Sequence, residues 1–596
     1  MKKIYKKFSI ISVSLIFIYS AVAFGIYIYY YPTISRKYNG ADKPPNQLEL
    51  EYPFYGSYYP KPYPPASLHV INASEINNET LVTILTLQGV LAKNRSTIYI
   101  TDNGYYNYWL KLIENEGIEL IYEQDPWNLI SKFSSNISGY ILYKKQGDGN
   151  LNPNSIYELH IDSSYCVAVS MCGVLNAVAV EEEEENLAKS IGLNLIFDAR
   201  GKSVNWIFES SNWQYFRHDM SFEVEFHSSR RYFLIDYAVF AGAAVWHASN
   251  RQERARILHY FEGDFPAFGF GAVEGGEDQL NTQIVEEGGF FIPSDWCRDL
   301  SVFSSIQVNT TQNLPDSNEI LSKFETGVHY VTIIVSDGDN LQWLMSDFIS
   351  EKYYGNPHRG EFAMGWTIPP EMTELCPILM RELYKNRTNN DVFIAGISGH
   401  GLTYPSRNPW NKLHAERTKK ILTKSDLSYS YIQDFGWFAD IFNDLANNEF
   451  LNGIIYIDYR DYNKYAGNIM WINEKPCIAV KYNFWESSNT ADKAKSIAES
   501  INSASRNIKS IEAYSIINVH PWTHDLYDIA QLVSLFKSDV RIVDPHTFFT
   551  FLTNNVEYNN IGRIDKYNLW IPFIYIAIGI ISFIGIGYLI IYLRNK

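Results

Sequence analysis

Short apolar runs recur along this chain, each passing into a polar stretch and then into apolar residues at helical spacing. The clearest case is 331–348, VTIIVSDGDNLQWLMSDF. A strand-compatible run enters Ser336-Asp337-Gly338-Asp339-Asn340, after which Leu341, Leu344, Met345 and Phe348 recur on one helical face. The pattern predicts a buried strand, a tight polar loop and a helix. Similar runs at 68–71, 97–101, 118–122, 139–143, 167–170 and 193–198, with helical stretches at 79–92, 106–114 and 177–189, predict an N-terminal α/β domain over 66–200.

The rhythm returns over 330–553, with strands expected at 330–335, 363–367, 392–395, 453–458, 477–482, 514–519 and 540–543 and helices at 371–384 and 525–536. Asp337, Asp458, His520 and Asp544 stand at or just after strand ends. Parallel strands bring such residues to one face, so the expected fold is α/β with a C-terminal (β/α) barrel-like domain. An open doubly wound sheet is the alternative. Between these regions, 201–329 reads as a connecting region. Within it 239–261 reads as helix, carrying Trp246, Arg251 and Arg254. The glycine-dense 261–281 that follows places Glu262, Asp264, Glu274, Glu277 and Asp278 on an expected loop, either a plain connection or one presenting carboxylates to a site. Its glycines lack the strand-turn-helix setting of a dinucleotide fingerprint.

Both ends are apolar. The run 8–31 follows Lys2, Lys3, Lys6 and Lys7, and 569–593 precedes Arg594 and Lys596. These predict a transmembrane helix at each end, an N-terminal anchor over 1–38 and a Pro/Tyr-rich linker over 39–65. Both termini are then cytoplasmic, the large domain lies outside the cell membrane, and the membrane is a partner through both termini. Cleavage after Ala21-Val22-Ala23 is the competing reading of the first run. Asn-x-Ser/Thr triplets at Asn72, Asn78, Asn94, Asn136, Asn309 and Asn386 agree with export.

Length and charge narrow the classes. A chain of 596 residues exceeds one ordinary core and implies two or more domains. A net charge of -16 without a basic patch argues against a nucleic-acid partner. Cys166, Cys172, Cys297, Cys376 and Cys477 form no zinc-ribbon or CxxC spacing, though Cys166 and Cys172 lie close enough in sequence to bridge.

Four clusters at strand ends could carry chemistry. They are Asp337 with Asp339 and Asn340; the glycine-rich 396–405, including Gly399, Gly401 and Tyr404; Asp458; and His520-Pro521-Trp522-Thr523-His524-Asp525. Gly399-His400-Gly401-Leu402-Thr403-Tyr404-Pro405, together with VSDGDNLQW at 335–343, GWTIPP at 365–370, NEKPCIAVKYNFW at 473–485 and INVHPWTHDL at 517–526, resembles the glycoside hydrolase family named for its Gly-x-Gly-Tyr-x-Tyr-Pro motif (GxGYxYP). The resemblance runs over about 66–553 and departs at Leu402, where the first tyrosine of the motif would stand. It implies an N-terminal α/β domain and a barrel-like domain acting on carbohydrate, and names no acid or nucleophile.

Those roles come from the chemistry. Glycosidic cleavage uses a carboxylic acid and a carboxylate, for which Asp337 or Asp339 opposite Asp458, with His520, are the candidates. Asn340, Trp343, Gly399, Gly401, Tyr404, Trp522 and His524 are expected to bind a glycan or polysaccharide. No cofactor is expected. Under a second reading, a metal-dependent deacetylase-like hydrolase, Asp337, Asp339 and a histidine would hold a divalent ion. Under a third, prompted by Leu402, the chain is a non-catalytic cell-surface binder.

Overall fold

The computed structural model describes residues 58–144, 162–224, 232–271, 276–437, 439–485 and 489–557. Four mainly parallel sheets follow one another along the chain. The first has the order β2-β1-β3, from β1 (Ser67–Asn72), β2 (Ile98–Thr101) and β3 (Glu119–Tyr122). The second has the order β5-β4-β6, from β4 (Tyr140–Tyr143), β5 (Val178–Glu181) and β6 (Leu195–Asp198). The helix Asn78–Ala92 serves both. Its start is capped by the Asn77 side chain, Thr83 Oγ1 donates to Ala179 O at 2.8 Å, and Gln88 Nε2 donates to Ile98 O at 2.9 Å. Enclosed by protein on all sides, it has no polar face, which explains its weak amphipathic pattern. A Cβ on Gly89 would come within 2.5 Å of Asp236 O, so the crossing with the helix Ile235–Ala241 needs glycine there.

The stretch 164–181 inverts two expectations. Residues 167–170 belong to the helix Ser164–Leu175, and the expected helix at 177–189 opens as strand β5. The apolar runs 165–169 and 177–180 are too short and too uniform for periodicity to separate helix from strand. The break is Asn176, in the left-handed region at φ 53°. All five cysteines are free and buried, Cys166 and Cys172 included.

The region that reads as irregular holds a third sheet, of order β10-β9-β7-β8, from β7 (Arg217–Glu223), β8 (Ala243–Trp246), β9 (Pro266–Gly269) and β10 (Phe290–Pro293). The single helix expected over 239–261 is instead the end of Ile235–Ala241, then β8, then the helix Arg251–Leu258. Trp246 is therefore a strand residue. Gly242 ends the first helix at φ 67°, and β8 is buried on both faces, so it carries no alternation. Glu223 and Arg254 meet inside this unit, with Nε 2.9 Å from Oε1.

The fourth sheet comprises β11 (His329–Val335), β12 (Met364–Ile368), β13 (Asp391–Ala395), β14 (Tyr429–Asp434), β15 (Gly453–Asp458), β16 (Ile469–Ile472), β17 (Lys475–Ala479), β18 (Tyr482–Phe484), β19 (Tyr514–Val519) and β20 (Val540–Ile542). Its order is β16-β17-β15-β14-β13-β12-β11-β19-β18, with β20 beside the start of β11. Only the β16-β17 hairpin is antiparallel. Between β17 and β18, Val480 N donates to Tyr456 O on β15 and Lys481 N donates to Ile516 O on β19. One stretch, 475–484, thus pairs with strands at both ends of the series, and the sheet curls back on itself. β14 was not expected, because YSYIQD mixes polar and apolar residues, yet all of it is buried.

No helix among the described residues is long and apolar enough to cross a membrane. The expected transmembrane segments at 8–31 and 569–593 lie outside the described residues. The two-anchor architecture is corrected on this finding, and with it the membrane as partner, the cell-membrane localisation and the cytoplasmic placement of both termini. What the structure supports is an N-terminal α/β region followed by the curled C-terminal sheet.

Candidate functional site

At the carboxyl end of β11 the chain turns so tightly that a Cβ on Gly338 would lie 1.8 Å from Thr367 O. Glycine is therefore required, and its N–H donates to Thr367 Oγ1 at 2.9 Å. The turn holds Asp337 in the left-handed region, at φ 65°. Such strain in a non-glycine residue persists only where the surroundings impose it. The result is directional: Asp337 Oδ2 lies 3.2 Å from His520 Nε2, at the end of the neighbouring β19. His520 is fixed from two further sides. Its Nδ1 is 3.0 Å from Thr523 Oγ1, and Trp485 stacks on its ring at 3.6 Å and 14°. Nearby, Tyr431 Oη donates to Asn518 Oδ1 at 3.0 Å, and Asn518 Nδ2 donates to Asn483 Oδ1 at 3.3 Å. Burial, then the charge of Asp337, raises the Tyr431 phenol, so it stays a donor.

A second carboxylate arrives from the third sheet. Gly276, at φ 82°, precedes the helix Glu277–Glu286, whose first turn carries Glu277 and Asp278. Although Glu277 as a residue keeps solvent contact, its carboxyl is crowded. Loss of hydration, then the charges of Asp337 and Asp278, push it up to about 7. Asp339, only 3% exposed, is raised well above the usual carboxylate range by burial, then by Glu277 and Asp337. The charge of Asp337 thus acts on both Glu277 and Asp339.

Other carboxylates nearby are occupied. Asp434 and Asp458 are register partners at the ends of β14 and β15. Asp434 accepts from Ser406 Oγ, Ser406 N and Phe435 N, and burial pushes it up to about 7. Asp458 accepts from Arg460 N and Asp461 N, with Tyr456 Oη at 3.3 Å and Lys464 Nζ at 3.6 Å. It is therefore bound into its own loop, whereas Asp337 meets His520. Asp544 lies at the other end of the sheet: β20 pairs with His329–Val331, and Asp544 caps the helix Pro545–Asn555 by accepting from Thr547 N. That corrects its expected place on the rim with Asp337.

Of the aromatic candidates, Trp522 is 46% exposed and rests at 5.1 Å on the buried Trp343. Tyr404 is buried against Phe435 and Tyr459. Beside these rings opens a cleft of about 690 Å³, bounded by the helices Arg251–Leu258 and Glu277–Glu286 and by the loops after β13, β14 and β15.

The remaining expected binders do structural work. Asn340 Nδ2 donates to Asp337 O at 3.2 Å within the turn. His524 is buried against Phe484 at 3.9 Å and 2°, with Nδ1 3.2 Å from Asp528 Oδ2. Gly399 and Gly401 do not open the backbone to solvent: added Cβ atoms would meet Thr418 Cγ2 at 2.9 Å and the Phe290 ring at 2.5 Å. Leu402, also buried, exchanges backbone hydrogen bonds of 2.8 and 2.9 Å with Phe291 of β10. His400 is buried against Tyr59 Oη at 2.8 Å. The motif loop is thus the joint between the third and fourth sheets. Among the described residues, no group of three or more His, Cys, Asp or Glu side chains is placed to hold a metal ion.

Sequence reasoning left Glu277 as one of several loop carboxylates and passed over Trp485, Asn483 and Asn518. The usable signal for Glu277 was its glycine-dense approach.

Three domains of one family match the chain. Residues 327–553 match "GxGYxYP putative glycoside hydrolase C-terminal domain", 67–135 its first N-terminal domain and 137–215 its second. A solved structure described as a putative hydrolase from Bacteroides thetaiotaomicron aligns with 24% identity and a TM-score of 0.72, covering 84% of this chain and 98% of that one. That likeness speaks for the fold. No curated protein matches.

Proposed function

Because this chain belongs to the GxGYxYP family, we propose that it hydrolyses glycosidic bonds, with Glu277 and Asp337 as its working carboxylates. The observation that carries this reading is the meeting of a carboxyl pushed up to about 7 with a carboxylate backed by a histidine, at the carboxyl edge of a curled parallel sheet. Carboxyl groups in unlike environments divide the labour of acid and base. Glu277 delivers its proton to the glycosidic oxygen as the C–O bond breaks. Asp337 either bonds to the anomeric carbon or takes a proton from the attacking water. His520 orients Asp337, and Trp485 orients His520. Trp522 offers a face for a sugar ring. Leu402 itself is buried in the joint with β10.

Reducing-end release from a panel of oligosaccharides and aryl glycosides by the full chain tests the proposal. Glu277→Gln and Asp337→Asn are expected to lower kcat by about 10²- to 10⁴-fold each while thermal unfolding stays close to wild type. Folded variants with wild-type turnover would overturn these roles. Glycan binding without product from any substrate would leave a binder in place of an enzyme.

A further inference from the structure

The 690 Å³ cleft and the carboxylate group share the first turn of the helix Glu277–Glu286: Glu277 feels the charge of Asp337, and the next residue, Asp278, lines the cleft. Its apolar surface is Phe435 and Tyr459, whose rings lie 5.5 Å apart. Three arginines from separate elements surround it: Arg251, Arg407 and Arg460. The Arg407 guanidinium lies flat over Phe435 at 3.7 Å, with Glu286 at 4.0 Å. Of the remaining acids, Glu287 meets His259 at 3.1 Å. Arg251 and Arg460 are both exposed, and neither forms an ion pair among the described residues. Arg460 also lies over Phe435, at 5.0 Å, so Arg251 and Arg460 reach the cleft as guanidinium groups without an acidic partner among the described residues, beside Asp278.

From this geometry we infer that the cleft is a subsite for an acidic sugar, one whose ring carries a carboxylate, as in a uronic acid. The inference rests on the glycosidase reading and names the class of its substrate. Guanidinium forks fit a carboxylate in two-point fashion and are weakly hydrated, so they recognise it at modest desolvation cost. Phe435 and Tyr459 supply the apolar face on which a pyranose ring packs. A neutral glycan would leave both cations without an acidic partner. In a chain of net charge -16, a polyanion gains nothing from the overall field, so selection has to come from these local groups.

The matched probe is a uronic acid tetramer beside the same tetramer with its carboxylates reduced to hydroxymethyl groups, each titrated calorimetrically into the full chain. The acidic tetramer is expected to bind at least about tenfold more tightly, as the loss of one charge-assisted pairing implies. That preference should shrink with added salt, and Arg460→Gln or Arg251→Gln should reduce it without changing affinity for the reduced tetramer. Equal affinity for the two tetramers overturns the inference with wild-type protein alone, whatever the variants do. Turnover of a small neutral aryl glycoside separates the two readings. Turnover without acid preference sinks the subsite and keeps the hydrolase; arginine-dependent acid preference with no turnover of any substrate does the reverse.

Discussion

At the scale of single residues, the site is a matter of which carboxyl groups are left uncommitted. Asp458 looks equivalent to Asp337 in sequence, as a carboxylate closing a buried strand, and Asp434 closes the unexpected β14, but backbone N–H groups of their own loops claim both. Asp337 escapes that fate because its turn closes through Gly338 and Asn340. The position of Asp337 and His520 at strand ends was legible from the sequence, since each follows closely on an apolar run. Glu277 was not, because its approach to Asp337 depends on how separate sheets dock. Glu371 was missed for another reason: it follows a proline pair in what reads as an ordinary helix start. It is fully buried, one oxygen accepts from Gly401 N at 3.3 Å, and the other has no partner. Burial pushes it up to about 8. The folded chain therefore holds this proton more tightly than the unfolded chain does. Stability should fall as pH rises from about 4.5 to 8, with a slope approaching ~1.4 kcal/mol per pH unit from this group. Glu371→Gln removes the penalty, so the gap in Tm between variant and wild type should widen from pH 5 to pH 8 and then level off. A constant gap across that range would contradict the assignment.

At the scale of elements, regular alternation was readable and doubly buried segments were not. β11, β15 and β19 announce themselves as apolar runs between polar punctuation, whereas β8 hides behind a glycine between two helices and β14 behind its serine, glutamine and aspartate. The strand expected at 477–482 lies in a longer seam, 475–484, that serves two neighbours. Its hand-over is the pair of bonds from Val480 N and Lys481 N. Val480→Pro deletes the first and leaves Tyr456 O buried without its donor, which should lower unfolding free energy by roughly 1–3 kcal/mol. Urea unfolding measures this. An unchanged midpoint would mean that the curl does not depend on the seam.

For the whole molecule, the alternation of strands and helices conveyed the α/β class, while the number of sheets and the means of joining them were invisible to local pattern. The joints consist of side chains far apart in sequence. Asp264, after the third sheet's helix Arg251–Leu258, receives His414 Nδ1 at 2.9 Å and Arg417 Nη1 at 3.2 Å from the fourth region and the Tyr58 hydroxyl from the start of the described chain. The terminal apolar runs gave the firmest reading in sequence, and it too required correction, because no helix among the described residues is long and apolar enough to cross a membrane. The joint at the motif loop gives a prediction of this scale. Gly401→Val would drive a side chain into the Phe290 ring and strain a backbone at φ 64°, separating β10 from the loop. Limited proteolysis should then cut between the third and fourth sheets while each retains its own strands. Wild-type resistance would show that the joint tolerates the change.

The motif by which such chains are recognised therefore certifies assembly and says little about turnover. On the glycosidase reading proposed above, a change at Leu402 is expected to be felt first by the neighbouring sheet. Surveys that rank members of the family by how well this signature is kept would be sorting them by construction. Ranking them by competence calls for residues outside the naming motif, Glu277 and Trp485 among them.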